Sequence, residues 1–271
     1  MARPITAPYP MAGPRLTDEL FLLTSTRGAA WTDLAAVILL MFLLEVFMGT
    51  ATAIVVGFPR IPQDFGADAG EATLARALLV PTLVVRAAGS ILIIAVILRY
   101  RRQSVKSVGL GHRKLALNLL IGIGATAVAF GLVVVTSLLL WLAWPELPDQ
   151  MEENARRILD MVPKLHPLGF AGVAVMIGIY EELLFRGFLM TRLRRASGSW
   201  VVAVLISTAI FTALHALDQT PAALVPITIL SVVFSVATIW RRSIVPAIIA
   251  HTLWNLCQFL YLYAAAEDVW T

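Results

Sequence analysis

The chain has 271 residues, 59% of them hydrophobic and only 14% charged, with a net charge of +4 and a single cysteine. Soluble domains usually run near 45–50% apolar and about 25% charged, so this composition, with a mean hydropathy of +0.83, excludes an ordinary water-soluble enzyme and points to a polytopic membrane protein. A pI near 9.6 would indicate nucleic acid in a soluble protein, but here the basic residues gather between apolar segments as orientation signals, and no nucleic-acid partner is expected.

Residues 1–32 carry Pro, Gly and charge without an apolar core long enough for a secretory signal. They are expected to form a cytosolic, largely irregular tail, with a short interfacial turn at DELFLL. A helix needs about 20 apolar residues to cross roughly 30 Å of hydrocarbon. Segments 33–58, 78–98 and 116–142 meet that need approximately, giving an N-terminal three-span part over 33–142. Segments 168–190, 199–217, 222–240 and 244–263 form a second, four-span part over 168–263. The predicted fold is an all-α polytopic bundle of about seven to eight spans.

The connections alternate in charge. Arg99, Arg101, Arg102, Lys106, Arg113 and Lys114 separate the second and third spans. Arg192, Arg194 and Arg195 follow the fourth span, and Arg241 and Arg242 follow the sixth. The intervening loops hold acidic residues instead, among them Asp64, Glu71, Glu146, Asp149 and Asp218. All basic loops fall on one side when the N-terminus is cytosolic, as the positive-inside rule favours. The longest connection, 143–167, interleaves Met151, Leu159, Met161 and Val162 with charges. That mixture predicts a short helix lying in the interface, closed by Pro163 and Pro167.

Ionisable groups inside spans are expensive and mark functional sites by default. Glu45 in the first span and Arg86 in the second are isolated in sequence, and their simplest role is to pair with each other. The second half is different. GIYEELLFRGFLM places Glu181, Glu182 and Arg186 on the fourth span; FTALH places Phe211 and His215 on the fifth; HTLWN places His251 and Asn255 on the last. Residues four apart share a helix face, so His251 and Asn255 project together and Glu182 can pair with Arg186. Glu181 and Glu182 are about 100° apart on the helical wheel. This division assigns Glu181 to chemistry and Glu182 to the arginine, with the reverse left open by spacing.

Each of these residues alone has a plain structural reading, because polar side chains commonly hydrogen-bond neighbouring membrane helices. Together they supply a base, two imidazoles and an amide, enough to activate a water and stabilise an oxyanion. Equally, Glu181, His215 and His251 could hold Zn²⁺ with an open position. At 1.5 Å per residue, Glu181 lies about 16–20 Å from the Arg192–Arg195 edge and His251 about 13 Å from Arg242, whereas His215 lies deeper, near 25 Å from Gly198.

EELLFR, FTALH and HTLWN resemble, in that order, the three motifs of the CPBP family of CAAX proteases and bacteriocin-processing enzymes, over residues 168–263. The resemblance implies an intramembrane endopeptidase with its site inside the helical bundle, open towards the cytosol. It implies that Glu181 activates the attacking water with help from His215, and that His251 and Asn255 stabilise the oxyanion. Glu182, Arg186 and Phe211 are then supporting residues. The family is described both as a metalloprotease and as a metal-free, glutamate-dependent one, so a zinc cofactor stays open. The interval from FTALH to HTLWN is short relative to the eukaryotic CAAX enzymes, which weighs against a prenylated substrate. A prokaryotic plasma-membrane enzyme acting on peptides or membrane-protein segments is the expectation.

Two other classes fit buried Glu, His and Arg. An ion-coupled transporter is one, although the polar residues concentrate in the second half without a matching set in the first, so no repeat symmetry is visible. A non-catalytic immunity or scaffold protein that keeps the motifs is the other.

Overall fold

The computed structural model describes residues 26–56, 67–110, 114–163 and 165–265. The tail with its DELFLL turn and residues 266–271 lie outside the described residues. The elements are α1 (Arg27–Val56), α2 (Ala67–Tyr100), α3 (Leu115–Trp141), α4 (Leu147–Met161), α5 (Pro167–Glu182), a π-helical segment (Leu183–Leu189), α6 (Met190–Ser197), α7 (Trp200–His215), α8 (Pro221–Arg241) and α9 (Val245–Ala265). A 3₁₀ turn, Val105–Val108, joins α2 to α3. Among the described residues there is no strand, and the fold is the all-α polytopic bundle that the hydropathy predicts.

Among the described residues all seven predicted segments are helical, but only six helical stretches there are long and apolar enough to cross a membrane. The exception is α7, whose 16 residues cover about 24 Å. It stops at His215 because Ala216, Asp218 and Gln219 turn back on its last carbonyls. No eighth span occurs among the described residues. Pro81 and Pro226 sit inside α2 and α8, and both helices continue through them.

The helix that places the site is α9, which packs between α3 and α5 and against α8. Without a hydrophobic driving force between helices in lipid, close packing relies on small residues at the crossing. Gly178 serves that role between α5 and α9: a Cβ there would lie 2.6 Å from Thr252 Oγ1 and 3.1 Å from the Ile248 carbonyl. Gly122 does the same between α3 and α9, where a Cβ would come within 2.7 Å of Ile249 and 2.9 Å of the Pro246 carbonyl.

Polar side chains gather the basic segments at one end of the bundle. Arg101 donates to Asp33 at 2.6 Å, Arg192 to Gln103 at 2.6 Å and Arg241 to Asn118 at 3.1 Å. The first two tie the start of α1 and α6 to the end of α2 and the residues just after it, and the third ties the end of α8 to the start of α3. The predicted interfacial helix is α4, and it is docked as well as amphipathic. Its buried Asn154 accepts from the Thr220 backbone N–H at 3.0 Å, and Gln150 accepts from that of Ala222 at 3.3 Å. Thr220 makes no side-chain cap of its own, so α4 satisfies the first amides of α8, which a helix cannot satisfy internally.

Candidate active site

The site grows from the point where α5 loses its α-helical spacing. Leu183–Leu189 forms a π-helical segment, a widened turn found mostly at functional sites. Gly187, inside it, lets the Val108 carbonyl approach so closely that a Cβ would lie 2.8 Å from that oxygen. The segment therefore bulges against the turn after α2, and Arg186 is directed into the bundle. Its guanidinium donates to Glu182 Oε1 at 2.8 Å and to the Ser231 carbonyl at 3.2 Å. Both ionic side chains are fully buried. Arg186 also lies 4.7 Å from the Phe211 ring centroid and 5.7 Å from that of Phe234, where the ring faces attract the cation.

Across the α5–α9 crossing, His251 Nδ1 lies 2.8 Å from the same Glu182 oxygen. An ionised carboxylate only accepts, so this nitrogen carries the proton and the ring's orientation is fixed. Nε2 then points to Glu181, 3.8 Å from its Oε2. Glu181 Oε1 accepts from the Tyr180 hydroxyl at 2.9 Å, whereas Oε2 is buried without a protein partner. The two adjacent carboxylates thus flank one imidazole, Glu182 on Nδ1 and Glu181 towards Nε2.

His215 stands one step away. Its Nδ1 lies 2.8 Å from the Phe211 carbonyl of its own helix, which requires a proton on Nδ1 and leaves Nε2 as the acceptor of the neutral ring. Its ring packs 4.5 Å from that of Phe211, which in turn lies 6.3 Å from His251. Phe211 therefore lies against both imidazoles. His215 is the last residue of α7, one turn after Phe211. Asn255 follows His251 by one turn on α9 and is partly buried.

Glu45 and Arg86 pair with each other in a two-pronged bridge, Nε to Oε1 and Nη2 to Oε2, both at 2.7 Å. They lie outside this cluster, on helices of which α2 packs against α5, and the Arg86 charge acts on the Tyr180 phenol.

A catalytic zinc needs three protein ligands around an open position. Among the described residues no three His, Cys, Asp or Glu side chains converge in that way. Glu181 Oε2 and His251 Nε2 approach to 3.8 Å, and among the described residues no third such side chain joins them. In this arrangement Glu181, His215 and His251 do not form a zinc ligand set.

Two participants escape sequence reasoning. Tyr180 reads as one more apolar residue of the span, although its place before a buried acid could have flagged it. Ser231 acts through its backbone carbonyl, which leaves no sequence signal.

Residues 163–257 match the family model described as type II CAAX prenyl endopeptidase Rce1-like. No curated protein and no solved structure matches the chain. The matched region runs from the end of α4 through most of α9, so it holds both glutamates, Arg186, Phe211, His215, His251 and Asn255, while Glu45 and Arg86 fall outside it. The chain is a multi-pass membrane protein that is similar, over residues 163–257, to the type II CAAX prenyl endopeptidase Rce1-like family.

Proposed function

We propose that the protein is an intramembrane endopeptidase in which Glu181 activates the hydrolytic water. The observation that carries this reading is the asymmetric state of Glu181: Oε1 is held by Tyr180, while Oε2 is buried, unpartnered and turned towards His251. A carboxylate fixed by one oxygen and free at the other is set to take a proton. The water oxygen attacks the scissile carbonyl carbon as its proton passes to Glu181 Oε2. The carbonyl electrons move to oxygen, and collapse of the tetrahedral intermediate expels the amine, which receives that proton. His215, with Nε2 as acceptor, assists by taking a hydrogen bond from the same water.

His251 and Asn255 are the oxyanion donors. Nε2 of His251 donates when the ring is doubly protonated, a state in which His251 and Arg186 balance the charges of Glu181 and Glu182. Glu182 and Arg186 are supports that hold the imidazole. A low-dielectric site strengthens each of these contacts and needs no reorganisation during the reaction. The substrate class is a peptide or membrane-protein segment, and the setting is a prokaryotic plasma membrane with a cytosolic N-terminus. Support for that orientation comes from the arginine-rich end of the bundle, where α1 also begins.

The test is a solubilised native membrane extract incubated with purified protein, with new N-termini counted over time. Wild type is expected to generate termini that the Glu181→Ala variant does not. Identical termini from both proteins would remove the proposal. A chelator arm with metal analysis decides the remaining choice, because full activity in metal-free protein excludes a zinc requirement.

A further inference from the structure

We infer that the first two spans reach into the site: Tyr180, held by the Glu45–Arg86 pair, is the positioning residue that fixes the Glu181 carboxylate. This inference rests on Glu181 being the base. Its observations are separate from the motif residues, because Glu45 and Arg86 lie in α1 and α2, outside the family-matched region.

Three links lead from the first two spans to the base. Glu45 grips Arg86 through two bonds at 2.7 Å, which fixes the plane of the guanidinium. A two-pronged carboxylate–arginine contact adds geometric specificity that a single bond lacks. α2 packs on α5, and the positive guanidinium of Arg86 interacts electrostatically with the Tyr180 phenol. A guanidinium only donates and a carboxylate only accepts, so the phenol turns its lone pairs towards the Arg86 charge while its proton goes to Glu181 Oε1 at 2.9 Å. The hydroxyl cannot reverse its direction between those two neighbours. The carboxylate of Glu181 is thereby kept from rotating, and Oε2 remains the face offered to the water.

The pair also has a physical reason to exist in this place. Ionisable groups in a span are costly unless paired or facing a cavity, and the side chains of Glu45 and Arg86 are 46% and 35% exposed. A purely structural pair would leave Tyr180 untouched. This one ends on the tyrosine that holds the base.

The experiment uses the full-length protein and the extract assay, with initial rates taken against extract concentration. Tyr180→Phe removes a single oxygen and is expected to lower apparent kcat roughly 10- to 100-fold, the range for losing one hydrogen bond to a charged group, with apparent KM within about twofold. Arg86→Met should give a smaller loss of the same kind, and the Tyr180→Phe/Arg86→Met double variant should be no slower than Tyr180→Phe alone. Exchanging the partners, Glu45→Arg with Arg86→Glu, rebuilds an ion pair but puts an acceptor beside the phenol. It should restore thermal stability relative to either single change and leave kcat low. Wild-type kcat in Tyr180→Phe, multiplying losses in the double variant, or full kcat in the exchanged pair would each overturn the inference. Should Tyr180→Phe be recovered only as aggregate, Arg86→Met decides, and wild-type kcat there overturns it. Glu181→Ala separates the two levels. An active Glu181→Ala protein ends the peptidase reading, whereas an inactive one beside a fully active Tyr180→Phe ends only the positioning role.

Discussion

Nδ1 of His251 on α9 meets Oε1 of Glu182 on α5 at 2.8 Å, and Arg186 donates to that same oxygen at 2.8 Å. One buried carboxylate oxygen therefore serves two cations or potential cations, and the orientation of the imidazole depends on it. The arrangement repeats the logic by which a buried acid holds a catalytic histidine in one tautomer.

Removing Glu182 should consequently damage folding and turnover by different routes. Glu182→Ala leaves the fully buried Arg186 without its counter-charge, a change that costs about 3–5 kcal/mol where such pairs have been broken. Replacing both partners with methionine removes the stranded charge, and isosteric apolar pairs are often neutral or better. The expected result is low thermal stability in detergent for Glu182→Ala, recovery of stability in Glu182→Met/Arg186→Met, and no recovery of turnover in that double variant. Turnover near wild type in the double variant would show that His251 needs no anchor on Nδ1.

Gly178 sits one turn before Glu182 and sets how near α9 can come. A Cβ would lie 2.6 Å from Thr252 Oγ1, 3.1 Å from the Ile248 carbonyl and 3.2 Å from the Thr252 nitrogen. Two of these three atoms are backbone, so the helices themselves must separate. Gly178→Ala is expected to cost about 1–3 kcal/mol by overpacking and to slow turnover by lengthening the Glu182–His251 contact. Gly172 is the control. It lies in the same helix with nothing within 4 Å of its Cβ position, so Gly172→Ala should stabilise by about 0.5–1 kcal/mol through helix propensity alone. Melting temperatures of the two variants in one detergent check the pair, and equal shifts would refute the close-approach argument.

What could be read from the chain before any coordinates follows from which interactions are local. Hydropathy is a sum over neighbours, so each apolar segment corresponds to a helix, and α4 was visible from its mixed pattern. Spacing of four residues on one helix was enough to expect Glu182 against Arg186. The link from Glu182 to His251 was not legible, because it depends on the register of α5 against α9, which Gly178 sets. The π-helical segment escaped for a similar reason. A wheel drawn at 100° per residue holds through Glu182 and fails beyond it, where the helix widens. Seven spans were expected from apolar length, and α7 falls short since the apolar character of Ala216 and Leu217 continues past the turn that ends the helix. Tyr180 shows the remaining limit. An aromatic residue in an apolar span carries no mark of the hydrogen bond its hydroxyl will make.

The docking of α4 yields the last prediction. Asn154 is buried, and its Oδ1 accepts from the Thr220 amide at 3.0 Å, with the Thr220 hydroxyl at 3.5 Å. The Thr220 hydroxyl also donates to the Gln150 carbonyl at 3.0 Å. Losing a side-chain cap costs about 0.5–2 kcal/mol, and here the cap belongs to a different helix, so its loss should fall on the contact between the two. On the outer side of α4, Glu152–Arg156 and Glu153–Arg157 pair along the helix and are exposed. Such surface pairs contribute little, about 0.3–0.5 kcal/mol each. Asn154→Ala should therefore raise hydrogen exchange across α4 and the first turn of α8, while Glu153→Gln leaves both protected. Because α8 supplies the Ser231 carbonyl that holds Arg186, the loosened end lies about ten residues from the site, or roughly 15 Å along the helix. Exchange in the α5–α9 core should then stay at the wild-type level. Protection of α4 unchanged in Asn154→Ala would mean that its apolar face alone, through Leu147, holds it to the bundle.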